Sequence, residues 1–266
     1  MQKHGSQDAP TGRSAGILTN WALPPPNPGP WDALLKDFVN QQHRVAYSRL
    51  KRDGLERLKA YLAHLAQPAK RSLPPGEKKA LLINAYNAFT VDWIVGNYPT
   101  ASIWETPSPF TVARFTLGGR KVSLDQIEAA LRSMGDPRIH GALVCAGRSC
   151  PPLRREAYVA NRLNQQLDDN VREWLADKSL NRFYPKQGKA EISSIFKWDA
   201  RDFGTFPGGL LGFLRKYAPP GAVPEAGNRK VTISYLPYNW GLNDQSSLGK
   251  NYSPLDAAIA WLKNWL

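Results

Sequence analysis

Arg138-Ile139-His140-Gly141-Ala142-Leu143-Val144-Cys145-Ala146-Gly147-Arg148-Ser149-Cys150-Pro151-Pro152-Leu153 carries both cysteines of the 266-residue chain and one of its four histidines. The apolar run through Cys145 has the length and composition of a short buried strand. Ala146-Gly147-Arg148 reads as a small-residue turn. Ser149 before Pro151-Pro152 reads as a helix entry, because serine caps helix starts and proline suits the first helical position. The pattern therefore places two thiols and an imidazole where a strand gives way to a helix.

Side chains alternate along a straight strand, so His140, Ala142 and Val144 would share one face and Leu143 and Cys145 the other. His140 and Cys145 then meet only across a bulge, whereas the turn can fold Cys150 towards either face. A helix start at Cys150, with Arg148, Arg154 and Arg155 nearby, would favour its thiolate. Four readings follow: a Cys150–His140 nucleophile and base acting on an acyl or amide carbon; a redox pair of Cys145 and Cys150; a structural disulfide or two buried thiols; and a metal site of His140, Cys145 and Cys150, which lacks a fourth ligand. The C-x4-C spacing matches neither the C-x-x-C redox motif nor paired zinc knuckles.

Upstream, residues 1–30 are rich in proline, glycine, serine and asparagine and read as a tail. Trp31, Leu34, Leu35, Phe38 and Val39 recur at helical spacing, and a second helix is expected from about Asp53 to Gln67. Pro74-Pro75-Gly76 opens a long helix from Glu77 to Tyr98 whose apolar residues cover more than one face, which marks it as central. Asn84 and Asn87 lie inside it. An unpaired buried amide costs about 1–3 kcal/mol, so both need partners, either in a polar network bracing a loop or at a site they help to line. Phe115 to Val122 reads as a hairpin with a Gly118-Gly119 turn, and Ser123 to Gln126 as a capping box opening helix 124–133.

Downstream, Leu163, Leu167, Val171, Trp174 and Leu175 form the apolar face of a further helix. Short strands are expected at 188–196 and 231–235, a helix at 207–217, and a terminal helix at 255–266 capped by Ser253 with Pro254. Helices first, then strands separated by helices, argue a single helix-rich α+β domain with a small, mainly antiparallel sheet.

Composition narrows the function classes. A 42% hydrophobic chain with 11% aromatic residues is globular rather than disordered. Its formal net charge of +13 fits a solvated basic surface, an anionic envelope surface or acidic substrates. No RNP motif, zinc finger or phosphate loop accompanies the charge, which argues against specific nucleic-acid binding. No apolar run is long enough to span a bilayer. Residues 1–20 lack the apolar centre of a secretory signal, so either the protein is cytoplasmic or a native signal has been removed.

Six motifs occur in order: Ile83-Asn84-Ala85-Tyr86-Asn87-Ala88; Tyr98-Pro99 with Ser102-Ile103; Arg138-Ile139-His140; Cys145 with Ser149 to Leu153; Trp198 with Asp202-Phe203; and Tyr238-Asn239-Trp240-Gly241-Leu242-Asn243. Together they resemble the DUF547 family over about residues 31–245, which leaves 1–30 as a tail and 246–266 as a C-terminal helical extension. The family's function is undefined, so the resemblance implies motif positions rather than a reaction. Bacterial members are commonly exported, which implies a periplasmic or exported protein. Where the family usually has Tyr-Asp-Trp this chain has Tyr238-Asn239-Trp240, and an Asn can accept a hydrogen bond but offers no charge.

The residue types are loosely similar to those of papain-like and transglutaminase-like thiol enzymes, although His140 precedes Cys150 here. The expectation is a cysteine-dependent hydrolase or acyl or amide transferase without a cofactor. Cys150 would attack, His140 act as base and Asn239 or Asp202 orient the imidazole. Asn84, Asn87, Arg148, Arg154, Tyr238 and Trp240 would contact a small peptide-like or carboxylate-bearing substrate. The alternatives are a thiol–disulfide redox protein using Cys145 and Cys150, and a non-catalytic envelope binding module.

Overall fold

A computed structural model of the chain describes residues 21, 23–68, 72–225 and 230–263. Ten α-helical segments occur among them: α1 (Gly29–Phe38), α2 (Tyr47–Arg49), α3 (Leu55–Ala66), α4 (Pro75–Asn97), α5 (Leu124–Arg132), α6 (Leu163–Ala176), α7 (Ile195–Trp198), α8 (Ala200–Gly204), α9 (Gly209–Tyr217) and α10 (Pro254–Lys263). The strands are β1 (Phe115–Leu117), β2 (Arg120–Val122), β3 (Arg182–Tyr184), β4 (Lys189–Ser193) and β5 (Thr232–Leu236). The chain is a helix-rich α+β protein with two small sheets.

The central position of α4 follows from its composition. Every residue from Ala80 to Val91 is buried, because apolar side chains cover all sides of the helix. It packs against α3 on one flank and α5 on another. No helix among the described residues is long and apolar enough to cross a membrane. The Ser123–Gln126 capping box opens α5 as expected, and β1 and β2 form the expected antiparallel hairpin across Gly118 and Gly119, both at positive φ.

The expectation of one mainly antiparallel sheet requires correction. Besides the hairpin there is a three-stranded sheet in which β3 pairs antiparallel with β4, while β4 pairs parallel with β5. Parallel pairing needs a long crossover, and helices α7, α8 and α9 supply it between β4 and β5. Those helices seat Phe196, Phe203 and Phe213, all fully buried with ring centroids 4.6–6.1 Å apart. Each such ring contributes about 1.5–3 kcal/mol by burial.

The N-terminal arm is also less free than its composition implies. Most of residues 1–30 lies outside the described residues, but Trp21 and Leu23 are buried in the core. The terminal helix has its cap, with Ser253 Oγ accepting from the Asp256 N–H at 3.1 Å, and the last three positions of the expected 255–266 helix lie outside the described residues.

The largest revision falls on the stretch from Arg138 to Leu153. Instead of a strand, Pro137–Gly141 is a 3-10 helix. Asp136 starts it by accepting the Arg138 N–H, and Arg138 is pinned by Asp136 and Asp168 at 2.9 and 2.7 Å. Gly141 lies against α6, where an added Cβ would come within 2.7 Å of Val171 Cγ2. Residues 141–144 pair with no strand among the described residues, so asparagine side chains satisfy their backbone. Asn87 donates to the Ala142 carbonyl and accepts from the Val144 N–H, both at 2.9 Å, and Asn170 donates to the Gly141 carbonyl. Nor does a helix begin at Cys150. Ser149 Oγ, the expected cap, accepts instead from the Asn239 N–H at 2.9 Å, and the next helical turn starts at Ala160.

Candidate functional site

Segment 239–243 threads between two loops and closes the region around the cysteines. Leu242 N–H donates to Ala101, Asn243 N–H to Ala146, and in return Arg148 and Ser149 N–H donate to Gly241 and Asn239. This ladder sets Tyr238 against both sulfurs. Its hydroxyl lies 3.1 Å from Cys150 Sγ and 3.3 Å from Cys145 Sγ, and the sulfurs are 2.8 Å apart. No disulfide joins them in this structure.

Local backbone geometry explains how two residues five apart meet. Ala146 adopts φ 62°, a left-handed conformation that costs a non-glycine residue about 1 kcal/mol or more. The turn aims the Cys145 and Gly147 N–H groups at Cys150 Sγ, each at 3.2 Å. Two amides converging on one atom form a backbone anion cradle. They are donors to the charged form of the sulfur, taking the place of the helix start that the sequence implied. The nearby Arg44 guanidinium is pushed down by burial and by Arg148, against a pull upward from Cys150.

Tyr238 is walled by indoles. Its ring lies 4.9 Å from Trp198 and 4.5 Å from Trp240, and Trp104 meets Trp240 edge-on at 5.2 Å. Burial, then the two neighbouring cysteines, holds the phenol well above its ordinary value, so it stays a donor. Cys150 is 6% exposed and Cys145 3%, so both are buried and Cys150 is the more exposed residue of the two.

His140 belongs to a different environment. Its Nε2 is 2.8 Å from Asp202 Oδ2, and its Nδ1 is 3.4 Å from Asp199 Oδ2. The ring is buried against Phe203, and both nitrogens face carboxylates. Asp202 is thus the residue that orients the imidazole. Its carboxyl is below the usual value: burial works to raise it, and the bonds from His140 and Arg132 outweigh burial.

Other expected site residues serve the framework. Asn239 closes a local turn by accepting the Gly241 N–H at 2.8 Å, away from the imidazole. Asn84 donates to the Tyr158 carbonyl at 2.8 Å and accepts its N–H at 2.9 Å, so Asn84 and Asn87 each brace a loop by one donated and one accepted bond. Arg148 donates to the Ser246 and Leu248 carbonyls, and Arg154 pairs with Glu156. Trp240 contributes its ring to the indole wall and its carbonyl to Ser102.

Two residues near His140 went unread in the sequence. Asp199 sits three before Asp202 across the start of α8. Glu128 is buried on α5, on the stripe of Leu124 and Leu131. A charged residue on an apolar stripe at helical spacing was the available signal.

Residues 70–175 match the family described as protein of unknown function, DUF547, so the chain carries a DUF547 domain over that span. No curated protein and no solved structure matches the chain. Both cysteines, His140, Asn84 and Asn87 fall inside the matched span, whereas Trp198, Asp202 and Tyr238 to Asn243 fall outside it.

Proposed function

We propose that the protein is a thiol–disulfide redox protein in which Cys145 and Cys150 cycle between dithiol and disulfide. The observation that supports this reading most is the 2.8 Å approach of the two sulfurs beside a single phenol. Cys150, which accepts both backbone amides and is the more exposed, is the attacking sulfur. Its thiolate attacks one sulfur of a small substrate disulfide and releases one thiolate. Cys145 then attacks Cys150 Sγ in the mixed disulfide, forming the internal bond and releasing the second thiolate. The two protons lost by the cysteines pass to the two leaving groups, so two electrons move from protein to substrate. Tyr238 donates to the sulfur that carries charge at each stage. The +13 formal charge draws anionic disulfides towards the surface.

A hydrolase or acyl transferase has less support from the geometry. That chemistry needs an imidazole beside the thiolate, and both ring nitrogens of His140 are turned to Asp199 and Asp202. The likeness to papain-like enzymes rests on residue types.

The test is redox equilibration. The reduced protein is incubated in graded mixtures of reduced and oxidised glutathione, quenched with acid, and labelled with a maleimide. The expected result is the paired loss of both labels with formation of an intramolecular disulfide. Two thiols that remain labelled across the whole series, or accumulation of a mixed disulfide that never resolves, would overturn the proposal.

A further inference from the structure

We infer that Glu128, His140 and Asp199 form a binding site for a first-row divalent cation such as Zn²⁺, distinct from the thiols. Their ligand atoms lie within 4.8 Å of one another and all three residues are buried. Clusters of surface carboxylates are common, but these groups come from three separate elements (α5, the 3-10 turn and the α7–α8 junction) and converge inside the protein.

Three features give the cluster the form of a metal site. The first is spacing. Two atoms bound to one tetrahedral metal at ~2.0–2.1 Å lie roughly 3.3 Å apart. His140 Nδ1 and Asp199 Oδ2 are 3.4 Å apart, long for a hydrogen bond and close to that ligand separation.

The second feature is the support around the ligands. His140 Nε2 lies 2.8 Å from Asp202 Oδ2, and the other ring nitrogen, Nδ1, faces Asp199. A carboxylate holding the far nitrogen of a ligating histidine is the usual outer arrangement of such sites. Arg132 completes it, with Nε 2.7 Å from Asp202 and Nη1 3.3 Å from Asp199 Oδ1. It grips the Asp199 oxygen that the metal does not need and leaves Oδ2 directed at His140.

The third feature is the donor set. One imidazole and two carboxylates fit zinc or manganese, and they leave a coordination position for a water or substrate oxygen.

The test is a titration of the full chain, stripped with a chelator under reducing conditions, with Co²⁺ followed by Zn²⁺. The expected result is one Co²⁺ per chain, visible ligand-field bands without a thiolate-to-cobalt charge-transfer band, and displacement by Zn²⁺. Refolding on metal addition, if the stripped protein opens, counts as binding. Glu128→Gln and Asp199→Asn should weaken binding on the order of 10- to 100-fold or more, and Cys145→Ser/Cys150→Ser should bind like the parent. The wild-type cobalt spectrum decides the case if a variant does not fold. Absence of stoichiometric binding, a thiolate band, or unchanged affinity in both carboxylate variants would overturn the inference.

Discussion

His140 and Cys145 are five residues apart, yet the two ends of this short segment work on opposite principles. At the thiol end the two cysteines, the Tyr238 phenol and two backbone amides meet beside a wall of indoles. At the histidine end, charge dominates: three carboxylates, a guanidinium and an imidazole share a buried space. Segment Ile195–Phe203 joins the two, presenting Trp198 to the phenol and Asp199 and Asp202 to the imidazole. The difference teaches where sensitivity should lie. A small polarisable sulfur is replaced at modest cost, whereas removing one member of a buried charge cluster leaves the others uncompensated.

The largest expected effect tests that contrast directly. His140→Ala should destabilise the fold by about 3–5 kcal/mol in chemical denaturation, since it exposes Asp199 and Asp202 to each other across a cavity. Cys145→Ala should cost much less. Equal losses in the two variants would erase the distinction between the ends.

A second, intermediate effect concerns pH. Asp136, which starts the 3-10 turn carrying His140, has its carboxyl lowered to about 2: burial would raise it, and bonds from Arg138 and Lys79 outweigh burial. Its folded value lies below its unfolded one, so between them the unfolded chain holds more protons and stability rises with pH. The contribution, about 2 kcal/mol, is fully present above pH ~4 and is lost as pH falls towards ~2. Asp136→Asn should flatten that part of the stability profile. A profile with unchanged slope would remove Asp136 from the anchoring of the turn.

The smallest effect sharpens the thiol end. Tyr238→Phe keeps the ring and removes the hydroxyl bonded to both sulfurs. It should destabilise the reduced pair by about 1 kcal/mol and lower its reduction potential by roughly 20 mV, read by glutathione equilibration. A potential that does not move would show that the hydroxyl does not distinguish the reduced from the oxidised pair.

Much of the framework was legible because local signals agreed with the packing. The Ser123–Gln126 box, the Gly118-Gly119 hairpin, the all-round apolar pattern of α4 and the inward stripe of α6 each record a local or single-helix preference. The site was legible in part. The thiols, the imidazole and the paired asparagines could be singled out by residue type, but not their partners. Asn87 was visible as a polar group needing satisfaction. That it would replace a missing strand partner for Ala142 and Val144 was not.

Local patterns were enough for the longer helices, the Ser123 and Ser253 caps, the Gly118-Gly119 hairpin and the set of residues able to do chemistry, because these depend on propensities and periodicities within a few residues. Tertiary structure alone decided that β5 runs parallel to β4, that Arg138 to Leu153 is neither strand nor helix, and that Cys150 meets Cys145 and Tyr238 while His140 meets Asp199 and Asp202. Those outcomes depend on which distant groups satisfy buried backbone and charge. Segment 238–243, nearly a hundred residues after the cysteines, supplies the phenol, and the α7–α8 junction supplies the carboxylates. No local pattern encodes that meeting, because the energy that fixes it appears only when the elements pack.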